Sequence, residues 1–169
     1  MIELEEHVDE RGSFARSFCD EEFAAHGLPT HFPQNNLSRN FRAGTLRGMH
    51  FNAPPFEEAK LVRVTKGAMY DQIVDLRPGS STRYQSFGVE LTDRAGNALF
   101  VPAGFAHGFI TLVDDTDVVY QMSRLYEAGA GRGFRWNDAS FGLRWPREVV
   151  VIAQRDASYP DYVREPPNV

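Results

Sequence analysis

Short apolar runs, each closed by glycine, proline or charged residues, cover most of the chain. Residues 61–65 and 68–76 are two such runs, separated by Lys66-Gly67, which reads as a tight turn. Residues 45–51, 84–91, 98–101, 109–112, 118–122 and 149–152 carry the aliphatic and aromatic composition of strands. Arg77-Pro78-Gly79-Ser80 is a loop, and Phe105-Ala106-His107-Gly108-Phe109 links two strands. One segment reads as helix, with Asp20 as N-cap, Glu21, Glu22 and Phe23 in the first turn, and Gly27 at the end. Many short strands at regular spacing argue for an all-β sandwich or barrel with a few short helices. No repeat, low-complexity tract or long linker divides the 169 residues, so a single domain is expected. The section from Trp136 to Tyr162 mixes loops with one strand, and the tail Glu165-Pro166-Pro167-Asn168 is expected to be frayed.

Composition narrows the partners. The chain is 42% hydrophobic, with 13 Phe and 6 Tyr, enough for a full core and for aromatic-lined pockets. A net charge of -5 and the lack of a basic block argue against nucleic acid. Small anions stay open, because local arginines can hold them. The single cysteine, Cys19, cannot form an internal disulfide, which suits the cytoplasm. Between Phe18 and Phe23, and without an adjacent His, it reads as a packed thiol rather than a nucleophile. No apolar run approaches the ~20 residues of a membrane span. The acidic start, Met1 to Glu6, is no signal peptide.

The chemistry concentrates in a few positions. Alternation puts His50 on one strand face with Leu46 and Gly48, where the small residue leaves space beside the ring. His50 is then either a base at a cavity or a buried histidine with satisfied nitrogens. Lys60 alternates with Val62 and Val64, so it points inward or snorkels from the strand end. Tyr120 shares a face with Val118 and Met122, as a site phenol or a capped core tyrosine. Arg47 falls on the face opposite His50, unless a bulge at Gly48 brings both inside. Asp156 follows the run at 149–152, either as a turn residue or as a carboxylate that fixes the tautomer of His50. His107 is a second site residue or a loop packing group. The five histidines lack the close spacing of a metal cluster, and phosphate loops, Rossmann glycines and nucleophile elbows are absent.

Several motifs occur together in order: Asp9-Glu10-Arg11-Gly12-Ser13-Phe14, Gln34-Asn35-Asn36-Leu37-Ser38, Leu46-Arg47-Gly48-Met49-His50-Phe51, Lys60-Leu61-Val62-Arg63, residues 101–109, Tyr120, Trp136-Asn137-Asp138 and Trp145-Pro146. In these the chain, from about residue 4 to about 162, resembles the dTDP-4-dehydrorhamnose 3,5-epimerase family of the cupin superfamily. The resemblance implies a jelly-roll β-sandwich, a homodimer, a nucleoside-diphosphate 4-keto-6-deoxyhexose as substrate, and no metal or other cofactor. It implies His50 as the base at C3 and C5, Asp156 as its carboxylate partner, Tyr120 as the acid on the other face, and Lys60 beside the enolate oxygen. It places Gln34, Asn36, Arg47 and His107 at the substrate. Arg11 and Phe14 match nucleotide contacts reaching a neighbouring subunit, and Tyr126 an aromatic position near the base.

The chain departs from the family pattern at Arg16, Gln121 and Leu125, where glutamate, lysine and tyrosine are common. It also starts late, so a shortened first strand is expected. These departures bear on the nucleobase, the sugar and the number of centres inverted. The rival readings are a relative that epimerises C3 or C5 alone, a ketoisomerase on a related dTDP- or CDP-deoxysugar, a cupin that only binds sugar nucleotides, and a metal-dependent oxygenase. Retention of Tyr120 favours inversion, since an acid on the far face would otherwise be needless.

Overall fold

Two facing sheets and a detached hairpin make up the computed structural model, which describes residues 1–164. The tail expected to fray lies outside the described residues. In chain order the elements are β1 (His7–Asp9), β2 (Gly12–Phe14), α1 (Asp20–Ala25), β3 (Gln34–Asn40), β4 (Thr45–Asn52), β5 (Lys60–Lys66) and β6 (Ala68–Asp75). There follow β7 (Ser86–Thr92), β8 (Ala98–Val101), β9 (Phe105–Thr111), β10 (Thr116–Met122), β11 (Gly131–Gly133), β12 (Val151–Ile152) and α2 (Gln154–Ala157). One sheet runs β3-β10-β5-β8. The other runs β11-β4-β9-β6-β7, with β12 added in parallel beside β4.

Alternation explains the layers. Val62 and Val64 of β5 point between the sheets, where they meet Leu99, Val101 and Val118 from their own sheet and Met69, Ile73, Leu91 and Phe109 from the other. Each such side chain contributes about 1.5–3 kcal/mol relative to exposure. The outward Leu61 and Ala98 are covered by Phe23 of α1, which packs with Phe18 and Phe32. Outside the second sheet, Met49, Val74 and Ala106 are covered by Phe134 and Phe141. Both sheets thus carry apolar cover on their outer faces, and β5, β6 and β9 hold apolar residues on both of their faces. The C-terminal section is the third layer, and this brings residue 156 to the sandwich.

The structure also departs from the sequence expectations. Strand β3 holds a single apolar residue, Leu37, so hydropathy gives it no signal. His107 lies within β9, paired on both sides, rather than in a link between strands. The last strand is only Val151–Ile152, and α2 behind it was not foreseen. Asp20 is the first helical residue of α1 and not its cap. Cys19, half-buried, occupies the cap position and supplies no side-chain bond. Gly27, at φ +68, turns the chain away as expected of a glycine there.

Asp75 organises the turn after β6. Its buried carboxylate accepts bonds from the backbone and guanidinium of Arg77 and from the hydroxyls of Ser80 and Thr82. Burial pushes this acid up, but those bonds outweigh it and hold it well below the ordinary 3.8. Asp138, bonded by the N–H groups of Ser140 and Tyr162, is lowered likewise. Acids lowered in the fold stabilise it above their unfolded value and lose that contribution as pH falls toward the folded value. The melting temperature should therefore hold steady down to about pH 5 and fall below about pH 4. Asp75→Asn should cost on the order of 2 kcal/mol at neutral pH and flatten that acid decline in a thermal melt.

Candidate active site

The site begins with an irregularity in β4. Arg47 pairs with Phe109 and His50 with His107, so three steps on β4 match two on β9. That bulge is the one the sequence left open at Gly48, and it turns Arg47 and His50 into the same cavity while Met49 joins the outer cluster. Gly48 sits at φ +134, and a Cβ there would lie 2.5 Å from the Cα of Gly108. Both backbones cross at glycine because nothing larger fits. Gly48→Ala should cost roughly 2–5 kcal/mol from strain and overpacking, read as a lower denaturant midpoint. A midpoint within a few tenths of a molar of wild type would argue against the tight crossing.

The bulge and His50 are held as one unit. Parallel pairing of β12 with β4 carries the chain past Leu46, and α2 then points Asp156 back at the bulge. Asp156 Oδ1 lies 2.8 Å from His50 Nε2, and Oδ2 accepts the Gly48 N–H at 3.2 Å. Burial pushes the Asp156 carboxyl up. The hydrogen bond and charge of His50, the Gly48 N–H and Arg155 pull harder, and it ends below 3.8. An ionised carboxylate only accepts, so Nε2 carries the hydrogen and Nδ1 keeps its lone pair as the basic nitrogen.

The opposite wall comes from the other sheet. On β10, Tyr120 pairs with Asn36 and Val62, and Met122 with Gln34 and Lys60, so these polar side chains share the inner face at one end. Burial raises the Tyr120 phenol above 10.0. Arg47 opposes this and Glu58 adds to it, so the phenol stays protonated. The Lys60 side chain is 13% exposed and its Nζ is 3.4 Å from Glu58 Oε1.

A cavity of about 430 Å³ is lined by Arg47, His50, Lys60, His107, Tyr120 and Asp156 among others. A second, of about 360 Å³, shares His50, Lys60, Tyr120 and Arg155 and adds Gln34, Asn36, Glu58 and Tyr126. Gln34 and Asn36 bond each other and the Met122 sulfur, and Gln34 Oε1 accepts the Tyr126 N–H. Arg47 Nε donates to Asn40 at 2.8 Å. His107 Nε2 lies 2.6 Å from Asp71 Oδ1, deep between the sheets.

Every residue marked from sequence stands around these two cavities except Arg11 and Phe14. Those two project from the β1-β2 hairpin into solvent, with Arg11 paired to Asp9. Of the departures from the family pattern, Arg16 pairs with exposed Glu22, Gln121 faces away from Tyr120 across its strand, and Leu125 is exposed.

Sequence reasoning missed four neighbours. Arg155 approaches both His50 Nε2, at 3.3 Å, and Asp156 Oδ1, at 3.2 Å. Tyr159 sets its ring edgewise 6.0 Å from the imidazole. Asp71 holds His107, and its position between inward Met69 and Ile73 on a buried strand was the available signal. Glu58, two residues before Lys60, is the fourth. Among the described residues no group of three or more His, Cys, Asp or Glu is placed to hold a metal ion. Among the same residues no helix is long and apolar enough to cross a membrane.

An imidazole with its carboxylate on one sheet faces a phenol and a lysine on the other across a jelly-roll sandwich, an arrangement suited to an isomerase of the epimerase type. The family match makes this particular. The model for dTDP-4-dehydrorhamnose 3,5-epimerase matches residues 1–163, and the chain belongs to that family. It is 40% identical to the dTDP-4-dehydrorhamnose 3,5-epimerase of Sinorhizobium fredii, over 98% of this chain and 86% of the relative. Its fold superposes with a TM-score of 0.91 on the Bacillus anthracis dTDP-4-dehydrorhamnose 3,5-epimerase solved with TDP and PPi bound, at 38% identity over 95% of this chain and 91% of that one. The Legionella pneumophila dTDP-6-deoxy-D-glucose-3,5-epimerase, solved with dTDP-4-keto-L-rhamnose, gives 0.85 at 31% identity, over 96% and 92% of the two chains.

Proposed function

We propose that this chain converts dTDP-4-keto-6-deoxyglucose to dTDP-4-keto-rhamnose by inverting C3 and then or before it C5. The observation that carries the reading is the placement of His50 with Asp156 on one sheet and Tyr120 on the other, across one cavity. Protons at C3 and C5 are acidic only because each is α to the C4 ketone. His50 removes such a proton through Nδ1, and ionised Asp156 stabilises the imidazolium that forms. Lys60 sets positive charge where the enolate oxygen develops. Tyr120 returns a proton from the opposite face, which inverts the centre. Family membership and the relatives' bound ligands support the nucleotide and the sugar; the four side chains supply both proton transfers without invoking another group.

The reading extends to two copies of the chain. Arg11 and Phe14 are exposed on a hairpin apart from the cavities of their own subunit. If they contact nucleotide, they do so at the neighbouring subunit's site. The cytoplasm, where such nucleotide sugars are handled, is the compartment this reading requires.

The function is tested by product configuration. After incubation with dTDP-4-keto-6-deoxyglucose, borohydride reduction and hydrolysis should give rhamnose and its C4 epimer. Recovery of only 6-deoxyglucose and its C4 epimer would count against any inversion. Sugars inverted at one carbon would restrict the activity to a single centre.

A further inference from the structure

Glu58 is a buried acid without a complete set of partners, and it stands in the wall that also holds Lys60 and Tyr120. Its side chain is 6% exposed. Oε1 lies 3.4 Å from Lys60 Nζ, longer than the ~2.7–2.9 Å of a good charge-assisted bond. Oε2 is closed to solvent and has no hydrogen-bond partner. Native proteins rarely bury an acceptor unmet, because losing water without gaining a donor is costly. The last torsion of a glutamate is broad, so a small turn presents either oxygen to a donor arriving in the cavity. Lys60 and Glu58 together thus offer a donor and a spare acceptor side by side.

We propose that Glu58 accepts a hydrogen bond from the C3 hydroxyl of the sugar and so selects 3-hydroxy over 3-deoxy substrates, an inference that rests on the epimerase reading above. With Lys60 at the C4 oxygen, the hydroxyl next along the ring can only be that on C3. C5 carries the ring oxygen and the methyl carbon and has no donor to give. Oxygens on neighbouring ring carbons lie roughly 3 Å apart, close to the 3.4 Å that separates Lys60 Nζ from Glu58 Oε1. An α-hydroxy ketone therefore mirrors the pair: its carbonyl accepts from Lys60 and its hydroxyl donates to Glu58. Removing that hydroxyl leaves a buried carboxylate unmet in the complex, the situation in which sites reject an analogue most strongly.

The test is deuterium uptake at C5, a reaction that both dTDP-4-keto-6-deoxyglucose and its 3-deoxy counterpart can undergo. Wild type should favour the 3-hydroxy compound by roughly ten- to a hundredfold in kcat/KM for this exchange. Glu58→Met, which keeps the length and removes the acceptor, should bring that ratio to within about threefold of one. Glu58→Gln, which keeps shape and one neutral acceptor, should fall between and serves if the methionine variant does not fold. An unchanged ratio in the folded variants, or no preference in wild type, overturns the assignment of Glu58 while leaving the epimerase standing. No C5 uptake from either compound by wild type overturns the epimerase reading, and this inference with it.

Discussion

His50→Ala is expected to lower solvent exchange at both C3 and C5 by roughly 10³–10⁴-fold while substrate still binds. One imidazole is expected to serve both centres: His50, held by Asp156, is the more open of the two carboxylate-paired histidines at the cavity wall, its side chain 30% exposed against 10% for His107 on Asp71. The two carbons lie on either side of the ketone, so the same base reaches each in turn when the sugar shifts. Asp156→Asn should produce a comparable fall, since an amide can donate to Nε2 and would favour the tautomer with its hydrogen on Nδ1. Because Asp156 also accepts the Gly48 N–H, that variant should lose some stability as well. Deuterium uptake measured by proton NMR, with binding followed separately by calorimetry, separates these effects. Exchange at either carbon that survives His50→Ala at near wild-type rate would mean a different base there.

Tyr120→Phe should act differently. Removal of a proton by His50 needs no phenol, so exchange should persist, reduced but measurable. Return of the proton from the far face should fail, and net inversion should drop by about 10²-fold or more. The signature is a ratio: deuterium enters C3 and C5 with retained configuration many times faster than the sugar inverts. The phenol is suited to the role because burial keeps it protonated, while Arg47 tempers that shift and limits the cost of forming a phenolate in turnover. If inversion and exchange fell together, Tyr120 would be shaping the cavity rather than supplying the proton. If inversion kept its rate, another group would be the acid.

Legibility in the sequence followed burial. Strands covered on both faces wrote long apolar runs, and these were readable, as were Lys60 and Tyr120 set among alternating valines and methionine. Strand β3 was not, because its inward Gln34, Asn36 and Ser38 serve the cavity and leave only Leu37 as an apolar mark. The common face of Arg47 and His50 depended on one extra residue in β4. Glycine signals that such a bulge is available, but only the partner strand, with Gly108 against Gly48, fixes it. From its position alone Asp156 could equally be a turn residue, and only the family pattern favoured it as the partner of His50; its contact spans more than a hundred residues and depends on β12 pairing and on α2. Arg155 and Tyr159 share that segment and were hidden for the same reason. Glu58 escaped notice because a glutamate after two prolines looks like loop surface, and only the packing shows it buried.

The most direct measurement is proton NMR of the purified protein with dTDP-4-keto-6-deoxyglucose in D₂O. The C3 and C5 proton signals should be lost to deuterium as the rhamno-configured ketone appears. Label at only one of the two carbons would contradict inversion of both, and label at neither would contradict the proton-transfer site itself.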